Sequence, residues 1–262
     1  MRAVIIIPAR YASSRLPGKP LLAETGKPLI QHTYEQAAAS KADEVIVATD
    51  DERIATAVQA FGGRVAMTSA DHESGTARVA EAARDLEADI IVNMQGDEPE
   101  TEPDSLNHLI DVHERALSVA EPAFVSTLVC PFSPEPVTGP GSPEDPSCVK
   151  AVLSGEQNGY RRALYFSRAL VPFPRDDNGR ISDPTAYYLH LGVYAFSMDS
   201  LQAFSSLPAS ALEHTEKLEQ LRILEAGHKV AAGVISSAPP GVDTPEDYAA
   251  FVRRQQQASE GH

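Results

Sequence analysis

Three basic residues lie close together near the start of the chain, Arg10, Arg15 and Lys19, the last beside Gly18, within MRAVIIIPARYASSRLPGKP. Guanidinium and ammonium groups on a glycine-assisted loop can clamp phosphate oxygens together with backbone amides. The same residues could also form only a solvated basic turn. Far along the chain stand two carboxylates, Asp97 in QGDEP and Asp243 in GVDTPED. Asp97 could serve just its own Gly-Asp turn, and Asp243 just the helix start it adjoins, where the dipole favours a carboxylate. If both lie at the carboxyl ends of neighbouring strands, two hard oxygen ligands face the cationic loop. Mg²⁺ is held in that way, by a few carboxylates, waters and substrate phosphates. The pattern is neither of the common nucleotide loops, since no GxGxxG follows the first strand and no GxxxxGK[ST] is present.

These residues need a scaffold that brings distant segments together. Residues 4–7 form a continuous apolar run, expected as a buried strand, and the strand is expected to stop at Pro8, which has no N–H for a ladder. About twenty residues without an apolar period then lead to Pro28, against the ~2 to 6 usual for such a connection. The loop leaves the carboxyl end of the first strand, where open α/β sheets bind ligands. The pattern predicts a helix over 28–40, a strand over 45–48, a helix from Asp50 and Asp51 to 61 closed by Gly62 and Gly63, and a strand over 65–67. After the polar loop SADHESGT come a helix over 77–86, a strand over 89–94 leading into QGDEP, a helix over 106–116 and a strand over 124–129. Such alternation implies an α/β fold with a parallel sheet, helices on both faces and right-handed crossovers.

Residues 131–146 hold six prolines and two glycines, the composition of an exposed, semi-rigid insertion. Strands follow over 149–153, 163–167 and 189–196, with a turn over 175–183. One helix is predicted over 211–226, with Leu212, Leu218, Leu221 and Leu224 as its apolar members, then a strand over 230–234. A last helix is capped by Thr244 with Pro245 in its first turn, and is expected to fray after Arg254.

The balance of 22 Lys and Arg against 37 Asp and Glu gives a net charge of −15, which argues against nucleic acid or an anionic membrane as partner. A small anion is still compatible, because a local cationic cluster can override the global field within a Debye length of ~8 Å. With 262 residues the chain can form a large core. No apolar run approaches ~18 residues and the opening lacks a charged n-region, so no membrane span or signal peptide is expected, and the expected compartment is the cytoplasm. Cys130 and Cys148 have no metal-type or CxxC spacing and read as plain thiols.

The segments PARYASSRLPGKPL, TSADHESGTAR, VNMQGDEP, ALYFSRALVPF, HLGVYAF, LEHTEKLEQLRILEAG and GVDTPED, in this order and spread over nearly the whole chain, resemble the 3-deoxy-manno-octulosonate cytidylyltransferase (CMP-Kdo synthetase) family. The resemblance implies a Rossmann-like, mostly parallel sheet of the nucleotide-diphospho-sugar transferase type, with a smaller dimerisation subdomain in the second half, and a homodimer. It implies one nucleotidyltransferase domain, with a nucleotide-binding core over 1–130, an insertion with dimerisation and sugar-binding region over 131–200, and a return to the core over 201–262. The implied reaction transfers CMP from CTP to the 2-hydroxyl of Kdo, releasing diphosphate, for lipopolysaccharide assembly.

By the same resemblance Arg10, Arg15 and Lys19 hold the triphosphate, with Lys19 also offsetting charge at the α-phosphate, while Asp97 and Asp243 coordinate Mg²⁺. Ser74, Arg78 and Gln95 shape the nucleotide pocket, and Arg168, His190, Tyr194, Glu219 and Gln220 face the sugar acid. Two positions depart from the family pattern: Leu189 stands where a basic residue is expected, and Phe173 follows Pro172 where a tryptophan is common, in a chain with none. Both belong to the sugar side, so another sugar acid, 8-amino-Kdo or a sialic acid, is the alternative substrate. A non-catalytic nucleotide-binding regulator is the alternative of another class; loss of Lys19, Asp97 or Asp243 would mark it, and all three are present.

Overall fold

The computed structural model describes residues 1–12, 16–72, 74–176, 178–208 and 210–260, with side chains through 258. They pack as two compact units, Met1–Asn107 with Pro239–His262, and His108–Ala238. These bounds differ from the expected divisions at 130 and 200.

In the first unit β1 (Ala3–Ala9), α1 (Leu29–Ala38), β2 (Glu44–Thr49), α2 (Glu52–Ala60), β3 (Arg64–Met67), α3 (Gly75–Ala83) and β4 (Ile90–Asn93) alternate as expected, and α4 (Pro103–Leu117) begins here. The four strands are parallel in the order β3-β2-β1-β4, and every residue of β1 is buried. Right-handed crossovers stepping from β1 to β3 put α1 and α2 on one face, and the return to β4 puts α3 on the other. Strand order therefore reverses between β1 and β4, the switch point at which such sheets leave a crevice outside the strands' carboxyl ends.

The strand expected to stop at Pro8 continues through Ala9, with Pro8 opposite Ala48 of β2. The ladder shows why. In a parallel strand each residue turns its N–H and C=O toward the same neighbour, and Ile6 O accepts from Met94 N on the β4 side. Pro8 faces that side too, where pairing with β4 ended at Ile6 and Asn93. Its missing N–H costs no ladder bond.

The second unit contains β5 (Val125–Pro131), β6 (Lys150–Gln157), β7 (Tyr160–Ser167), β8 (Tyr188–Ser197), α5 (Met198–Phe204), α6 (Ala211–Glu216), α7 (Gln220–Glu225) and β9 (Val230–Val234). Its strands run β8-β5-β9-β7-β6, and Lys150 and Ala151 of β6 pair back onto β8, closing a ring of pairings. Here the expectation of a mostly parallel sheet is corrected: β5 and β9 are parallel, whereas β5/β8, β6/β7, β6/β8 and β7/β9 are antiparallel, so the fold is α/β with a mixed sheet. The β6–β7 hairpin turns through Asn158 and Gly159 at φ 57° and 77°, a two-residue turn that needs positive φ at both positions.

The helix expected over 211–226 is two helices, broken at Lys217, which is left-handed at φ 55°. Glu216 is diverted to tertiary use: its carboxylate accepts from Ser167 Oγ at 2.6 Å and Arg168 N at 2.8 Å, and its carbonyl accepts from Arg168 Nε at 2.8 Å. Leu212 is accordingly exposed, while Leu218 and Leu221 are buried. Of the exposed insertion expected over 131–146, residues 133–141 are exposed and irregular, whereas Pro131 belongs to β5 and Phe132, Ser142 and Pro143 are buried. The return of this segment is tied down by fully buried Lys150, whose ammonium donates to the carbonyls of Asp145, Cys148 and Arg168 at 2.9, 2.7 and 2.6 Å.

The chain closes with α8 (Pro245–Glu260), back in the first unit. Asp247 N donates to Thr244 Oγ1 at 3.2 Å while Asp247 Oδ2 accepts from Asp243 N and Thr244 N at 3.1 and 2.9 Å, a reciprocal cap. Fraying after Arg254 is not observed: the Arg254 guanidinium grips the Glu100 carboxylate, joined by Gln255 Nε2 at 3.2 Å. No helix among the described residues is long and apolar enough to cross a membrane, and both cysteines are free thiols.

Candidate active site

The cationic loop is shaped by contacts within itself. Gly18 N donates to Tyr11 O at 3.1 Å, and Gly18 adopts φ 68° with the Tyr11 hydroxyl 3.2 Å from where a Cβ would sit, a conformation and a spacing that favour glycine. Beyond it Lys19 opens a single 3₁₀ turn, Lys19–Leu21, and Pro20 is buried. Leu16 and Leu22 pack on Leu29, Val242, Tyr248 and Phe251. The Lys19 backbone is thereby fixed at the switch point.

Its ammonium meets both aspartates. Lys19 Nζ lies 2.7 Å from Asp97 Oδ2, 2.8 Å from Val242 O and 3.4 Å from Asp243 Oδ1. A backbone bond from Val242 N to Asp97 O at 2.9 Å makes the two segments neighbours. Together with Pro8, Arg10, Gln95 and Gly96 these residues line a cavity of about 310 Å³ outside the ends of β1 and β4. One residue that the sequence reading passed over belongs here. Burial, then the charges of Asp97 and Asp243, push the Glu98 carboxyl up to about 8 despite Lys19. The DE pair of QGDEP was a visible signal, but its environment was not.

The remaining nucleotide-side residues divide. Arg10 donates through Nη2 to His72 O. Burial and the nearby charge of Arg78 lower its pKa, against the pull of Asp50. Gln95 lines the cavity and donates to Asn93 Oδ1 at 3.3 Å. Ser74 caps α3, its Oγ accepting from Ala77 N at 3.1 Å. Arg78 is fully buried, donating to Thr68 Oγ1 at 2.5 Å and lying 3.2 Å from Asp50 Oδ1, so it braces the ends of β2 and β3. Arg15 lies outside the described residues.

In the second unit the structure gathers His190, Tyr194, Glu219 and Gln220. Tyr194 OH donates to Gln220 Oε1 at 3.2 Å, and Gln220 Nε2 is buried without a partner among the described atoms. Burial first, then the Glu219 charge, drives the Tyr194 phenol well above its ordinary pKa. The His190 ring meets Phe166 edge-on at 4.8 Å and Tyr194 at 5.5 Å. Its Nε2 is 3.0 Å from Thr127 Oγ1, which also faces Leu191 O and Val193 O at 3.0 and 2.8 Å. The hydroxyl thus anchors the ring at Nε2, and the ring tautomer decides which of the two donates. Burial lowers the His190 pKa to about 3, so the ring is neutral. A β-bulge between Thr127 and Leu128 sets this geometry.

Arg168 is not joined to that group by any described bond; Nε donates to Glu216 O and Nη1 to Pro146 O at 2.8 and 2.9 Å. Leu189 packs beside Phe132, Ile181 and Tyr187, an apolar setting that accounts for the missing basic residue. Phe173 is exposed. A larger cavity of about 390 Å³ lies by the amino-terminal ends of β5 and β9, lined in part by Tyr160 and Arg162 and by Glu121 and Lys229, which are already paired; no residue of the motifs lines it.

A model of the cytidylyltransferase family matches residues 4–230. The chain belongs to that family. It is 49% identical over 260 residues to the 3-deoxy-manno-octulosonate cytidylyltransferase of Syntrophobacter fumaroxidans, covering 96% of each chain. It is 45% identical over 251 residues to the 8-amino-3,8-dideoxy-manno-octulosonate cytidylyltransferase of Shewanella piezotolerans, covering 94% of this chain and 96% of that one. A solved structure of CMP:2-keto-3-deoxy-manno-octonic acid synthetase complexed with CTP superposes with a TM-score of 0.86 at 44% identity, covering 98% of this chain and all of that one. This cytidylyltransferase is therefore a nucleotidyltransferase enzyme whose cationic loop and paired aspartates stand where its sheet topology places a ligand.

Proposed function

We propose that this chain transfers CMP from CTP to the 2-hydroxyl of 3-deoxy-manno-octulosonate, releasing diphosphate and activating the sugar acid for lipopolysaccharide assembly. The observation that carries the reading is the convergence of Lys19, Asp97 and Asp243, from three distant segments, on one cation-sized position at the switch point. Arg10, Arg15 and Lys19 hold the triphosphate, Gln95 and the α3 start at Ser74 border the nucleotide, and Arg78 acts on it through the framework it braces. Asp97 and Asp243 would hold Mg²⁺; they fit it because both already share one cation, and Mg²⁺ supplies charge neutralisation at the phosphates when bound. Two carboxylates leave room for phosphate oxygens and waters, which would complete the coordination of such an ion.

The sugar hydroxyl attacks the α-phosphorus in line, and the residues act by positioning and electrostatics without a covalent intermediate. Lys19 offsets charge growing on the α-phosphate and leaving diphosphate. On the sugar side neutral His190, Tyr194, Glu219 and Gln220 offer hydrogen bonds to hydroxyls, and Arg168 Nη2 meets the carboxylate. We place the enzyme in the cytoplasm as a homodimer formed through its second half; light scattering that returns the mass of one chain would overturn the dimer.

The test is product analysis of the purified protein with CTP, Mg²⁺ and separate sugar acids. CMP-Kdo is expected. A conjugate of 8-amino-Kdo alone would establish the second reading, which relatives such as the 45% identical Shewanella enzyme favour. Diphosphate release with any of the acids would eliminate the non-catalytic regulator, and absence of release with every acid would overturn the proposed transfer.

A further inference from the structure

We propose that Lys19 is a built-in counter-ion that fills the metal position until a triphosphate draws it away, so that the metal enters with the nucleotide and not before it. The proposal rests on the reading of Asp97 and Asp243 as metal ligands. An ammonium has three donors, and Lys19 directs them at three oxygens, Asp97 Oδ2, Val242 O and Asp243 Oδ1, at 2.7, 2.8 and 3.4 Å. None is left for a phosphate. The Lys19 side chain is also less exposed than the carboxylates it joins, 12% against 34% and 48%. All three residues line the same cavity, and the ammonium takes up a position within reach of both carboxylates.

The backbone at Lys19 is tied down, with Gly18 N bonded to Tyr11 O at 3.1 Å, Leu22 N bonded to Lys19 O at 3.2 Å and Pro20 buried. The flexible four-carbon stem can swing. Charge balance makes the exchange favourable only when both partners arrive. Two carboxylates with one ammonium carry −1, and a divalent ion added without nucleotide meets a resident positive charge at contact distance. A triphosphate offers that ammonium new oxygens at the moment the metal takes its place.

The test uses Mn²⁺ as probe, with free Mn²⁺ read by electron paramagnetic resonance, on the full chain without nucleotide. Lys19→Met is expected to bind Mn²⁺ at least about tenfold more tightly than the wild type. Arg10→Met, which removes a cation from the same cavity but not from between the carboxylates, is expected to change affinity less than about threefold. Adding Asp97→Asn to Lys19→Met is expected to abolish the gain. In the unaltered protein the Lys19 ammonium resonance is expected to shift with Mg²⁺ and CTP together and to stay in place with Mg²⁺ alone. Equal Mn²⁺ affinity in wild type and Lys19→Met, with Asp97→Asn still weakening binding, would overturn the counter-ion and leave the metal reading intact. Indifference of Mn²⁺ binding to Asp97→Asn, with CTP present, would overturn both.

Discussion

Asp97 and Asp243 are held as neighbours by a backbone hydrogen bond, Val242 N to Asp97 O, between segments far apart in the chain. Asp97→Asn keeps an acceptor for Lys19 but removes the charge. It is expected to lower kcat at least about a hundredfold, ~2.7 kcal/mol at 1.36 per decade, with an unchanged melting profile; near-normal turnover at saturating Mg²⁺ would remove Asp97 from the essential ligands. Thr127→Val deletes the oxygen that anchors His190 Nε2. It is expected to raise KM for the sugar acid about tenfold, the scale of one hydrogen bond, and to leave KM for CTP alone. At this scale the sequence disclosed residue type better than setting. Lys19 and the two aspartates were legible because cations and carboxylates in turn-rich segments announce themselves. Thr127 was not, since one threonine in an apolar strand looks like β-propensity, and its three-way bonding depends on a bulge that no local pattern signals.

Helices and strands were legible where hydrophobic period and caps agreed, and misread where a tertiary contact overruled the period. Residues 211–226 carry leucines at helical spacing, yet Glu216 turns to Ser167 and Arg168 and the helix breaks at left-handed Lys217. Glycine removes a left-handed penalty of roughly 1 to 2 kcal/mol and adds an unfolded-state entropy cost of about 0.4 to 1 kcal/mol, so Lys217→Gly is expected to stabilise the protein by roughly 0.5 to 1 kcal/mol. A lower urea midpoint would show that the Lys217 side chain matters more than its backbone. Lys150 lies within the strand expected over 149–153 and opens β6, where its ammonium satisfies three carbonyls in the interior. Lys150→Met is expected to cost at least about 2 kcal/mol and to speed proteolysis within 131–146; unchanged cleavage there would exclude Lys150 as its anchor.

For the molecule as a whole, the parallel half was legible because alternating strands and helices admit few topologies. The second half was not, since short strands without intervening helices leave their order open. Its interior holds a histidine with a consequence for acid stability. His113 is fully buried with Nδ1 2.8 Å from Ser126 Oγ, and burial lowers its pKa from 6.5 to about 4. The unfolded chain then binds the extra proton first as pH falls. Stability from the neutral ring is complete above pH 6.5 and is lost progressively toward pH 4, with His190 extending the loss toward 3. Glu98, with its carboxyl raised to about 8, acts in the opposite sense and equally in both proteins, so between pH 7.5 and 5 the urea midpoint of the wild type is expected to fall relative to that of His113→Gln. An equal fall in both proteins would assign the acid sensitivity elsewhere.

The first unit is built from the two ends of the chain, with residues 108–238 between them. On the ribosome, β1 to β4 emerge early, but Asp243 and the helix that caps it come last. At 5 to 20 residues per second, the intervening 131 residues delay that meeting by about 7 to 26 s. During that interval the apolar faces that Tyr248 and Phe251 will cover stand open, so the nascent chain is most exposed to aggregation just before it becomes an enzyme.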